Sequence, residues 1–96
     1  MKAKVVYWHK ARLKNRYILE MEIHKISRSR RYPKGIKYGL ILVDQRSGKR
    51  VLMDNHYSKG PHIHVNKTEL PYHFINEDQL VQDFKILVFE QMGVKL

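Results

Sequence analysis

The chain has 96 residues and no cysteine, and its 19 Lys and Arg against nine Asp and Glu leave a formal charge of +10 at neutral pH. That length suits a single domain, 1–96, with one modest core. The lack of cysteine excludes disulfides, thiolate-bound zinc and a thiol nucleophile, and no apolar run approaches the roughly 20 residues of a membrane helix.

The segment from Met1 to Lys10 has neither an uninterrupted apolar stretch nor a small-residue cleavage site, so a cytoplasmic protein with no membrane partner is expected. Residues 4–10, rich in Val, Tyr and Trp, read as a first strand. Leu13-Lys14-Asn15-Arg16 reads as a turn. Residues 17–25 then alternate cleanly, with Leu19, Met21 and Ile23 on one face and Glu20, Glu22 and His24 on the other. Ser27 to Gly35 is a basic loop closed by Pro33 and Gly35. Residues 37–44 hold the nearly continuous apolar run Tyr38-Gly39-Leu40-Ile41-Leu42-Val43, as a central strand requires. Asp44–Lys49 is a hairpin turn in which Gly48 supplies a positive φ, and residues 49–54 return as a fourth strand.

Beyond His64 the chain reads as irregular as far as Pro71, with Tyr72 and Phe74 plugging the core. A helix is predicted over 76–92. Asn76 caps it, Gln79 completes a capping box, and Glu77 and Asp78 suit the positive end of the helix dipole. Leu80, Phe84, Leu87, Val88 and Met92 share one helical face, and Gly93 ends the helix. Four strands and then one helix predict an α+β fold, a four-stranded antiparallel β-meander with one C-terminal helix packed on the sheet.

The charge is lopsided. Residues 1–37 carry 12 Lys and Arg against Glu20 and Glu22, whereas residues 38–96 carry seven basic and seven acidic side chains. The densest cluster is Arg28, Arg30, Arg31, Lys34 and Lys37. Such a field draws polyanions, and these five residues are the candidate nucleic-acid-binding set, with RNA the expected partner. An acidic protein is also attracted. Anionic lipid ranks last because no basic amphipathic helix is visible in this half. Trp8, Tyr7 and Tyr38 interleave with basic residues as base-stacking side chains do, although packing within a small sheet explains them more simply.

Chemistry concentrates between Asp54 and His64, where a carboxylate, an amide, a phenol, an ammonium and three imidazoles fall close together. His62 and His64 are two apart, so on an extended backbone both rings leave the same face. Metal-independent RNA cleavage needs one group to take the ribose 2′-OH proton, another to protonate the leaving oxygen, and a cation on the phosphate. The candidate catalytic residues are therefore His62 and His64 for proton transfer and Lys59 for the phosphate. Tyr57 is a further donor, and Asp54 an orienting partner for an imidazole. No metal or other cofactor is required. Two other readings stay open. The pair has metal-ligand spacing, with His56 or His73 as a third ligand and Asp54 as a fourth. Alternatively, the histidines are structural, and the protein is a non-catalytic module that binds nucleic acid or an antitoxin.

The run Asp54-Asn55, Lys59-Gly60-x-His62-x-His64, Pro71-Tyr72-x-Phe74 and an acidic-capped helix with Asp83-Phe84 resembles the TumE-like toxin family of bacterial type II toxin–antitoxin modules. The resemblance spans most of the chain and is strongest from Asp54 to Phe84. It leaves out the Ser27–Lys37 loop and departs at Pro61. It implies a growth-inhibiting toxin paired with a small helix-turn-helix antitoxin. Combined with the site chemistry, it points to an endoribonuclease toxin. Neither the resemblance nor the chemistry specifies the oligomeric state, and a homodimer is compatible with both.

Overall fold

A computed structural model describes residues 3–96; Met1 and Lys2, the start of the segment that lacks the marks of a targeting signal, lie outside the described residues. The elements run β1 (Lys4–Leu13), β2 (Tyr17–Lys25), β3 (Ile36–Asp44), β4 (Arg50–Asp54), β5 (His62–Val65), β6 (Thr68–Pro71) and α1 (Glu77–Met92). Every neighbouring pair of strands is antiparallel, and the sheet order is the chain order. The α+β class and the terminal helix are as expected. The strand count is not: the sheet has six strands rather than four.

The two additional strands fall in the stretch read as irregular. Each is four residues long, and β6 is exposed throughout, so neither shows the apolar alternation that marks a half-buried strand. Their turn, Val65-Asn66-Lys67-Thr68, contains no glycine, and Asn66 takes the positive φ of 56°. Asn66 also ties the hairpin tip to β4. Its Oδ1 accepts the Arg50 N–H at 3.0 Å, and its own N–H donates to the Arg50 carbonyl at 3.0 Å. These are long-range bonds.

The longer strands follow local rules. Lys14 and Asn15 both have φ near 50°, and the Arg16 N–H donates to the Leu13 carbonyl at 2.9 Å, which makes a tight two-residue hairpin between β1 and β2. That turn carries β1 on to Leu13, past the predicted end at residue 10. At the β3–β4 turn Gly48 has the expected positive φ of 76°.

One face of the sheet is covered by α1. Leu19, Met21 and Ile23 of β2, Leu40 and Leu42 of β3, and Val51 and Met53 of β4 are buried there with Leu80, Phe84 and Val88 of the helix. Phe74 joins them and stacks on Tyr38 with ring centroids 5.6 Å apart. Asn76 caps the helix, its Oδ1 accepting the Gln79 N–H at 2.8 Å. The capping box is not completed, because the Gln79 amide instead donates to Asp83 at 2.7 Å, one turn further along. Gly93 ends the helix in the left-handed region at φ 68°. Among the described residues no helix is long and apolar enough to cross a membrane.

Register assigns the opposite face. Trp8, Glu22, Gly39, Asp54, His62 and Pro71 form one row across the sheet, and Lys10, Glu20, Ile41, Leu52, His64 and Glu69 form the next. The aromatic residues divide accordingly: Tyr38 belongs to the core, whereas Trp8 on edge strand β1 is 59% exposed.

Candidate functional site

The basic loop and the histidine segment, separate in sequence, meet in space. The loop is pinned at its base by the Ile26 N–H on the Gly35 carbonyl and by the Gly35 N–H on the Tyr32 carbonyl, both at 2.9 Å. Only glycine fits position 35: φ is +66°, and an added Cβ would lie 2.8 Å from the Ile26 carbonyl oxygen. Arg28, Arg30, Arg31, Lys34 and Lys37 are all exposed. The Arg31 guanidinium lies 4.8 Å from the Tyr57 ring centroid, and the Tyr57 N–H donates to the Tyr32 hydroxyl at 3.3 Å. Lys34 covers the Phe74 ring and donates to the Phe74 carbonyl at 3.0 Å.

An open groove of about 620 Å³ results, lined by Arg30, Arg31 and Lys34 on one side and by Tyr57, Lys59 and His73 on the other. A second, of about 660 Å³, is lined by Arg31, Lys37, His24, Glu22, Asp54 and His56. Tyr57 thus belongs with the basic loop rather than with the histidine pair. Asn55 is structural: its Oδ1 accepts the Tyr38 N–H at 2.9 Å and its amide donates to the Ile36 carbonyl at 2.7 Å, continuing the sheet beyond the end of β4.

His62 and His64 stand beyond the first groove on the uncovered sheet face, their ring centroids 4.7 Å apart and edge to face. They share a face, as their spacing requires, but their surroundings differ. His62 is only 5% exposed. Its Nδ1 is 2.7 Å from the Gly60 carbonyl, which only accepts, so Nδ1 carries a proton. Its Nε2 is 2.9 Å from Asp54 Oδ1, yet that oxygen is buried and receives no well-aligned hydrogen bond. The contact is close but not aligned as a hydrogen bond, since direction counts as much as distance. His64 is more open, and its Nε2 lies 3.9 Å from Glu69 Oε2.

Glu69 is the site residue that sequence reasoning missed. It sits directly across from His64 in the β5–β6 register, and Lys59 Nζ donates to its Oε2 at 3.1 Å. The Lys59 ammonium holds the Glu69 carboxyl below the usual carboxylate range. The Asn66 turn was the one available signal, because a two-residue hairpin there pairs His64 with Glu69. The donor atoms of His62, His64 and Glu69 all fall within 4.8 Å of one another. The residue that stands with the histidine pair is therefore Glu69, whereas His56 and His73, considered for that place from sequence, line the two grooves.

No protein-family model, curated protein or solved structure matches the chain.

Proposed function

We propose that this protein is the toxin of a type II toxin–antitoxin module and acts as a metal-independent ribonuclease. RNA lies along the Arg30–Arg31–Lys34 groove, Glu69 takes the 2′-OH proton, His64 protonates the leaving 5′ oxygen, and Lys59 holds the phosphate. His62 is assigned to positioning rather than to proton transfer, because its ring is buried and both nitrogens face acceptors.

The observation that carries this reading is the place of Lys59. It lines the basic groove and also reaches Glu69, so a phosphate drawn along the groove arrives beside the proton-handling pair. The 3.9 Å between His64 and Glu69 supports the same chemistry. Substrate entering between them would separate the base from the acid, as an in-line displacement requires. The antitoxin assignment rests on the family resemblance, with a small helix-turn-helix protein as the neutralising partner.

The test is cleavage of single-stranded RNA by the purified chain in EDTA, alongside an RNA carrying a 2′-deoxy sugar at the scissile position. The expected products end in 2′,3′-cyclic phosphate, and the deoxy position resists. Cutting at the deoxy position would remove the 2′-OH mechanism. Tight, salt-sensitive binding without cleavage would leave a module that acts by occupancy, with all its histidines structural.

A further inference from the structure

We propose that His62, His64 and Glu69 form a zinc-binding site and that zinc there inhibits the protein. Tetrahedral zinc with nitrogen and oxygen ligands at about 2.0–2.2 Å places its donors roughly 3.3–3.5 Å apart. The donor atoms of the three residues lie within 4.8 Å of one another, with His64 Nε2 3.9 Å from Glu69 Oε2, so binding zinc draws them closer together. Register puts these donors on one face of the adjacent strands β5 and β6, where side-chain rotation can close them on a metal.

Two features go beyond proximity. First, His62 has the outer support that a metal-bound imidazole uses: Nδ1 donates to the Gly60 carbonyl at 2.7 Å, fixing the tautomer and leaving Nε2 as the ligating atom. Second, Asp54 Oδ1 is a buried carboxylate oxygen with no hydrogen-bond donor aimed at it, although it lies against Nε2. A buried acceptor left unsatisfied is costly, and a cation bound at Nε2 would satisfy it. The donors are imidazole and carboxylate, which suits zinc rather than the all-oxygen cages of calcium and magnesium.

Lys59 is the competitor. It occupies Glu69 through an exposed ion pair, the weak kind, and zinc must displace it. Zinc would therefore engage both His64 and Glu69 and release Lys59 from the site. Inhibition rests on the ribonuclease reading above; binding does not.

Untagged full-length protein, freed of metal by chelator, is titrated with zinc chloride by calorimetry and by NMR of the histidine rings. One zinc per chain is expected, with the His62 and His64 ring signals moving together. Glu69→Gln and His64→Ala should each weaken binding at least tenfold, and His73→Ala should leave it unchanged. Glu69 is exposed, so its amide variant keeps the test intact if loss of His64 disturbs folding. Unmoved His62 and His64 signals at millimolar zinc, or equal affinity in Glu69→Gln, would overturn the site. Zinc is expected to stop RNA cleavage and chelator to restore it; cleavage stimulated by zinc would overturn the inhibitory assignment. Calorimetry reads binding whether or not RNA is cut, which keeps failure of the metal site distinct from failure of the ribonuclease reading.

Discussion

The two ends of the β3–β4 hairpin each hold a carboxylate, and the two are treated oppositely. At the turn end Asp44 is 4% exposed and fully satisfied. Arg16 grips it with two hydrogen bonds of 2.9 and 2.8 Å, the Arg46 N–H donates at 2.9 Å, and the Ser47 hydroxyl donates at 2.7 Å. These bonds, the Arg16 pair first among them, hold the Asp44 carboxyl well below the usual carboxylate range. At the other end Asp54 keeps a buried oxygen without an aligned donor, beside a buried imidazole and a mixed cluster of His64, Glu69 and Lys59. A network with every lone pair occupied fixes a turn and leaves no valence for a ligand. An incompletely satisfied one in the same fold leaves a buried acceptor open to another group, which is the premise of the proposals above.

The largest effect that would sharpen this contrast is at the incomplete end. His64→Ala should cut RNA cleavage by about 10²–10⁴-fold, the usual cost of losing a general acid or base, with the unfolding midpoint unchanged. A fall in both would make His64 structural. Asp54→Asn should reduce the rate on the order of 10²-fold by loosening His62 and the ring packed against it. Mutation of Asp44 should do the reverse: Asp44→Ala should lower the unfolding temperature while the rate per folded molecule holds. Equal behaviour of the two aspartates in paired thermal-melt and cleavage assays would end the comparison.

The two ends also separate by pH. Since the folded-state value for Asp44 is depressed, its stabilisation is complete above the unfolded carboxylate value of about 4 and is lost as pH falls toward the folded value. The stability gap between wild type and Asp44→Asn should therefore be constant near neutrality and shrink below about pH 4, as urea unfolding at stepped pH would show.

Smaller effects test the surroundings. Neutralising Arg30 and Arg31 together should weaken single-stranded RNA binding across sequences and flatten the log–log salt slope by roughly 0.7 for each phosphate left without its cation. Unchanged slopes would mean that the groove serves another partner. Removing the helix cap through Asn76→Ala should cost about 1 kcal/mol of stability and leave cleavage untouched, since the cap lies on the covered side of the sheet.

Much of the fold was legible because it is written in short-range terms. Leu19, Met21 and Ile23 alternate, Leu80, Phe84 and Val88 recur at helical spacing, and Asn76, Gly48 and Gly93 mark ends and turns by their own conformational preferences. The shared face of His62 and His64 was legible for the same reason, since a period of two is local. Tertiary structure alone decided what surrounds them. β5 and β6 are too short and too polar to announce themselves; they form because β4 offers an unpaired edge and Asn66 bonds back to Arg50. Only once that hairpin exists does Glu69 stand opposite His64, or does Lys59 link the basic groove to them. Burial divided the histidine pair in the same way. Two imidazoles that sequence reasoning treats as equals became one enclosed ring and one open ring, because enclosure comes from strands and loops contributed by distant parts of the chain.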